Sequence, residues 1–170
     1  LNLEYSKVGW KDVILHSKQH NSHRFILWLA LHKRLATVDR LQAFGIDIPD
    51  GCCFCGLEVE TFQHLFFECS KTKEIWAGML RWLDCGRQVY SWEQEVRWIN
   101  VKAKSKTAEN EIICCGFALV VCQIWKIRNL KRFQQRPFKL ESTLKEMKMY
   151  LYLKAWKLTK WQATMQRLKN

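Results

Sequence analysis

With 170 residues, the chain is long enough for one domain or two small ones with a sizeable core. Its 48% hydrophobic content and nine tryptophans exclude a wholly disordered chain, and two prolines with seven glycines favour long helices and few turns, so the expected fold class is mainly α. The formal net charge of +12 is uneven: residues 126 to 170 hold 13 of the 28 Lys and Arg but only Glu141 and Glu146 of the 16 acids, a net of +11. Such asymmetry points to a polyanionic partner, because neutralising phosphates releases condensed counterions, although an anionic membrane surface would attract it too.

Residues 8 to 20, with Trp10, Val13, Ile14 and Leu15, read as a short helix running into a polar stretch, and Ser22 can N-cap the segment after it. From 23 to 35, Phe25, Trp28, Leu29, Leu31 and Leu35 recur at helical spacing, and this helix is expected to bury its Trp28 face against the zinc module. His16, His20 and His23 have no cysteine or carboxylate beside them at helical spacing, so they read as a solvated face rather than a second metal site. Thr37 suits the N-cap of a helix over 38 to 44, which Gly45 ends in the left-handed region. Pro49 keeps Ile48 extended, and Gly51 lets the chain bend.

The next stretch, Cys52-Cys53-Phe54-Cys55-Gly56 through His64 and Cys69, spells C-x2-C-x8-H-x4-C. Two thiolates on a tight turn, with an imidazole and a third thiolate from a following short helix and its end, are what one tetrahedral Zn2+ needs. The expected metal ligands are Cys52, Cys55, His64 and Cys69, and since they fill the tetrahedron the zinc is structural, at a net formal charge of −1. Two alternatives stay open: Cys53 with Cys55 as a C-x-C pair, which makes a poorer knuckle, and His64 as a packed or capping residue.

Thr61 is a plausible N-cap for the turn carrying His64, and Ser70 or Thr72 for a helix reaching about residue 83, with Ile75, Trp76, Met79, Leu80 and Leu83 on one side. Residues 84 to 91 form a boundary and 101 to 106 a second, exposed one, with a short helix over 92 to 99 between them. Two units are expected: a zinc-binding domain over 1 to 88 and a basic helical region over 89 to 170, with packing as one unit left open. Periodicity gives a long helix over 107 to 134 through Ile113, Phe117, Val120, Ile124 and Ile127. Its apolar run of 112 to 125 falls short of the about 20 residues that cross a bilayer, so it reads as buried. After Pro137, a last helix over 141 to 168 places Leu144, Met147, Leu151, Leu158, Trp161, Met165 and Leu168 at a/d-like spacing, to pair with the long helix as a hairpin or to meet a partner.

The residues Cys52-x-x-Cys55-Gly56, Glu60-Thr61, His64-Leu65-Phe66, Cys69 and Ile75-Trp76 together resemble the zinc-binding domain that follows the reverse transcriptase in plant non-LTR (LINE-type) retrotransposon polyproteins. Upstream, Phe25, Trp28, Arg34-Leu35, Thr37 and Asp39-Arg40-Leu41 are similar to its lead-in, and Ile124-Trp125-x-x-Arg128-Asn129 resembles the segment that follows it. The resemblance spans roughly 8 to 133, and where the family usually carries proline after the first and fourth ligands this chain has Cys53 and Ser70. It implies a region that helps the adjoining polymerase hold template RNA or target DNA, with the polymerase and endonuclease activities lying elsewhere.

The leading expectation is therefore a non-catalytic zinc module that binds nucleic acid, RNA or single strands before duplex, through Lys126, Arg128, Lys131, Arg132, Arg136, Lys139, Lys145 and Lys148. The basic surface continues through Lys154, Lys157 and Lys160, with Phe133, Phe138, Tyr150, Tyr152 and Trp156 interleaved. The rival is a zinc-stabilised helical adaptor, derived from a retroelement, that meets a protein through Leu151, Leu158 and Trp161 of the last helix. No paired aspartates, glycine-rich phosphate loop or nucleophile with a base at motif spacing suggests an enzyme, and no small-molecule substrate or membrane partner is expected. The first residues carry no signal-peptide pattern and no initiator Met, and cysteines at metal-ligand spacing suit a reducing compartment, so the chain reads as part of a longer intracellular protein, nuclear or cytoplasmic.

Overall fold

The computed structural model describes residues 11–16 and 21–168, and among them the structure is helical, with one isolated antiparallel bridge between Gly51 and Val59. The expectations for Trp10 and His20, and for the side chains of Leu15 and His16, lie outside the described residues. The elements are α1 (Lys11–His16), α2 (Asn21–Leu31), α3 (Val38–Ala43), a π-turn (His64–Glu68), α4 (Ser70–Trp82), α5 (Trp92–Ala103), α6 (Ala108–Gln134), α7 (Leu140–Trp156) and α8 (Thr159–Arg167).

Helix α6 is the axis of the fold. Thr107 caps it, its hydroxyl accepting from Asn110 N–H at 3.3 Å, and every residue from 112 to 122 is buried. By length and apolarity it could cross a membrane, yet α2, α4, α5, α7 and α8 pack around it and bury most of its apolar stretch. Burial on all sides explains why apolar residues run around the whole helix rather than along one stripe. The core is continuous from the zinc segment to the C-terminal helices: Phe67, Trp76, Trp92 and Phe117 contact one another with ring centroids 5.5 to 6.5 Å apart.

Three sequence expectations are corrected by tertiary packing. In α2 the buried positions are Leu27 and Ala30, facing α6, while Trp28 lies to one side against Phe25 and His32. The helix stops at Leu31, and Lys33 takes φ +51° on the way to the buried Leu35. Helix α5 runs through 101–103 because Ala103 reaches the core, so the exposed boundary there is shorter than expected.

The last helix is broken in two. Leu158 is extended (φ −124°, ψ 93°) and restarts the chain as α8, which turns Trp161 and Met165 into the core. Glu111 of α6 holds the restart: its carboxylate accepts from Trp161 Nε1 at 2.9 Å and from Lys160 Nζ at 2.7 Å. Lys160 Nζ also donates to the Lys106 carbonyl. On α7, Met147, Leu151 and Ala155 are buried against α4 and α6, so the a/d stripe is occupied within the chain.

Candidate metal centre

Residues 50–60 form a narrow loop that closes on itself. Cys52 N–H donates to Glu58 O at 2.7 Å and Glu60 N–H to Asp50 O at 2.8 Å, while at the tip Gly56 N–H donates to Cys52 O at 2.9 Å. Gly56 takes φ +67°, open to a residue without a Cβ, so Cys52 and Cys55 end on the same side of the tip.

His64 and Cys69 approach from the other side. Thr61 accepts from His64 N–H at 3.1 Å through its hydroxyl, as the sequence suggested. The chain then makes a single π-type turn, with Cys69 N–H donating to His64 O at 2.7 Å and Phe67 forced to φ +86°. A non-glycine residue in that region is strained, and the buried Phe67 ring between Trp76, Trp92 and Phe117 holds it there. This arrangement sends Phe66 and Phe67 into the core while His64 and Cys69 point back at the loop.

The expected cap of α4 is corrected by the same geometry: Cys69 itself is the N-cap, and Ser70 is the first helical residue. The first helical position also tolerates proline, so the serine found there in place of the family's usual proline leaves the turn intact.

The Sγ atoms of Cys52, Cys55 and Cys69 and a ring nitrogen of His64 all lie within 4.8 Å of one another. Cys52 Sγ is 3.9 Å from Cys69 Sγ, and Cys55 Sγ is 3.3 Å from His64 Nε2. A zinc tetrahedron with Zn–S of about 2.3 Å and Zn–N of about 2.0 Å has S···S and S···N edges of about 3.8 and 3.5 Å, so the donors fit it in spacing and chemistry. Cys52, His64 and Cys69 are buried and Cys55 half-buried, which suits a closed structural centre.

Cys53 stands outside the cluster, its Sγ on the Arg128 carbonyl at 3.9 Å, and burial pushes its thiol up, so the C-x-C alternative falls away. The contact from Cys52 holds the Cys69 thiol down to about 5 against its burial, and the backbone N–H groups of Thr72 and Lys71 assist. The same contact pushes Cys52 well up. The helix start thus favours negative charge where a three-thiolate zinc centre would carry −1.

Glu58, which the sequence reading passed over, places a carboxylate oxygen 3.4 Å from His64 Nδ1. That contact would orient the imidazole so that Nε2 faces the thiols. Only its spacing from His64 hinted at this, since Glu58 is exposed at the loop edge.

Two residues further, Glu60 is fully buried. Its Oε1 accepts from Arg128 Nε at 2.9 Å, Arg128 Nη2 at 2.6 Å and Val38 N–H at 3.3 Å; its Oε2 accepts from Arg132 Nη2 at 3.0 Å. Arg132 also donates to the carbonyls of Pro49 and Gly51, at 3.0 and 2.7 Å. These two arginines clamp the metal loop to the end of α6.

The expected nucleic-acid contacts therefore divide. Arg128 is 1% exposed with its guanidinium on Glu60, so it is withdrawn from that set, and Arg132 faces the loop carbonyls. Lys126, Arg136, Lys139 and Lys145 are exposed, Lys131 and Lys148 are half-buried, and among the described residues none of the six is ion-paired. Lys148 lies over the Trp82 ring, 5.8 Å from its centroid. Of the aromatics, Phe133 and Trp156 are exposed, Tyr152 packs on Trp82, and Phe138 sets its edge on Phe54 of the metal loop at 5.5 Å.

A helical fold stapled at its first half by a closed Cys3His cluster defines a structural zinc-binding module. Residues 1–76 match the family described as zinc-binding in reverse transcriptase. No curated protein and no solved structure matches the chain.

Proposed function

We propose that the chain is a non-catalytic zinc-stapled module that holds RNA or single-stranded nucleic acid beside a reverse transcriptase of LINE type. The observation that carries this reading is the set of exposed cations Lys126, Arg136, Lys139 and Lys145 on α6, α7 and their connection, which bind no acid among the described residues. Folded proteins place unpaired cations together at a cost in self-repulsion, and a polyanion removes that cost. The zinc centre acts at a distance, through Glu60, Arg132 and the Phe54–Phe138 contact, by fixing the hairpin end that presents them.

The polymerase and endonuclease chemistry belongs, on this reading, to other parts of the polyprotein, and the module works inside the cell, in nucleus or cytoplasm, without a membrane or a small-molecule substrate. The test is a salt titration of binding to a single-stranded RNA oligonucleotide: affinity falls steeply and linearly in log salt if phosphates are the ligand. Salt-independent or absent binding would reject it.

The adaptor reading loses Leu151 and Trp161 to the core, but a second observation keeps a form of it: Met149, Leu153 and Trp156 are exposed along one side of α7. Association with a protein that survives high salt and is lost in Trp156→Ser would favour that reading.

A further inference from the structure

Helices α6 and α7 run antiparallel, joined by residues 135–139, and a groove of about 300 Å3 opens along their seam. Gln123, Lys126, Ile127 and Leu130 reach it from α6 at spacings of three and four, so they form one continuous helix face. The connection closes one end with Arg136, Pro137, Phe138 and Lys139. From α7 come Ser142, Thr143 and Glu146, again one face.

The chemistry of this lining is two-part. Ile127, Leu130 and Phe138 are half-buried and apolar, a surface on which a flat ring can lie. Lys126, Arg136 and Lys139 surround it, all exposed and with no carboxylate partner among the described residues. Glu146 is the one acid in the groove and lies on α7 two turns from Lys139, so by the antiparallel course of the helices it sits toward the end away from the connection. A volume near 300 Å3 is at the small end of ligand clefts, enough for one nucleotide and not for a helix or a peptide strand.

We infer that the α6–α7 groove seats a single nucleotide of an unpaired strand, its base on Ile127, Leu130 and Phe138 and its phosphate held by Lys139, Arg136 and Lys126. This deepens the proposed nucleic-acid function and rests on it. Glu146 keeps a second phosphate away from the far end, so the strand enters with one nucleotide turned in and the rest outside. Because Phe138 rests on Phe54 of the metal loop, the floor of the groove is set by the zinc module.

The test uses the zinc-loaded full chain and a fluorescein-labelled 12-nucleotide oligouridylate. Lys126→Glu with Lys139→Glu is compared with Arg81→Glu and Lys104→Glu, exposed on α4 and at the end of α5, which changes the total charge equally. Circular dichroism and melting confirm that both variants fold. The groove variant should bind at least tenfold more weakly and lower the salt slope by about 1.4, at roughly 0.7 per cation on single strands, against less than threefold for the control. A 4-thiouridine strand should photo-crosslink to residues 123–146. Equal losses in the two variants, or crosslinks elsewhere, would overturn the groove while leaving the broader reading intact; a wild-type chain that binds no oligouridylate overturns both.

Discussion

Arg128 places two guanidinium nitrogens on one carboxylate oxygen of Glu60, at 2.9 and 2.6 Å, although the two residues are 68 positions apart in sequence, and both side chains are out of solvent. The two residues are not equivalent. Glu60→Ala strands a buried guanidinium, whereas Arg128→Ala leaves Glu60 with Arg132 and Val38 N–H. Glu60→Ala should therefore lower stability by about 3–5 kcal/mol, and Arg128→Ala by less. The double change Glu60→Leu with Arg128→Met should recover much of the loss, since an apolar pair of similar volume removes the fully buried guanidinium and leaves Arg132 with the Pro49 and Gly51 carbonyls. Urea midpoints with unchanged slopes measure this. A double variant no better than Glu60→Ala would mean that shape, not charge, dominates the site.

Metal removal should be felt at the same end of the molecule. One equivalent of zinc is expected in the purified chain, and Cys55→Ser or Cys69→Ser should abolish it, because either change leaves the four-donor cluster one thiolate short. At zinc a thousandfold above its Kd, binding contributes about 4 kcal/mol, so chelation should lower Tm by about 8 °C or more. Most of the helical signal should survive just below that transition, since α6 and its neighbours supply their own core. Unchanged melting after chelation would show that the four ligands hold no metal.

The ligands were legible because all four lie within 18 consecutive positions of the sequence, where spacing alone encodes a metal loop. Helix α6 was legible for a similar reason, Thr107 marking its start and a long apolar run its body. What escaped was set by distant partners. The break before α8 carries no glycine or proline; it follows from Trp161 reaching Glu111, 50 positions away. Arg128 looked like a phosphate contact because its anion is so remote in sequence. Cys69 as a helix cap was hidden because cysteine is not among the usual capping residues, and its place is dictated by the metal cluster.

Glu58 separates affinity for zinc from stability of the metal-free fold. Its side chain is 74% exposed and its carboxylate meets His64 Nδ1 at 3.4 Å, so its removal opens no cavity. Glu58→Gln should weaken zinc binding by about tenfold, toward the low end for an outer-shell carboxylate, and Glu58→Ala by more. Competition against a chromophoric chelator reads the affinity; melting of the chelated, zinc-free chain should stay at the wild-type value, and melting at a fixed excess of zinc should fall by only about 3–5 °C, the roughly 1.4 kcal/mol that a tenfold weaker Kd carries. A fall in melting of the zinc-free chain would instead place Glu58 among the residues that hold the loop itself.

The buried thiols of the axis helix give an alkaline limb to stability. Burial pushes Cys114 and Cys122 up to about 12 from an ordinary value of 9.0. A folded-state value above the unfolded one means that the stabilisation is complete below about pH 9, where both states hold the proton. It is lost progressively toward pH 12, as the unfolded chain ionises and the folded one does not. The variant Cys114→Ala with Cys122→Ala removes this term, so its disadvantage relative to wild type should shrink as pH climbs from 9 toward 12. Paired urea titrations across that range measure the difference. A gap that stays constant would mean that these sulfurs become ionised inside the fold as readily as outside it.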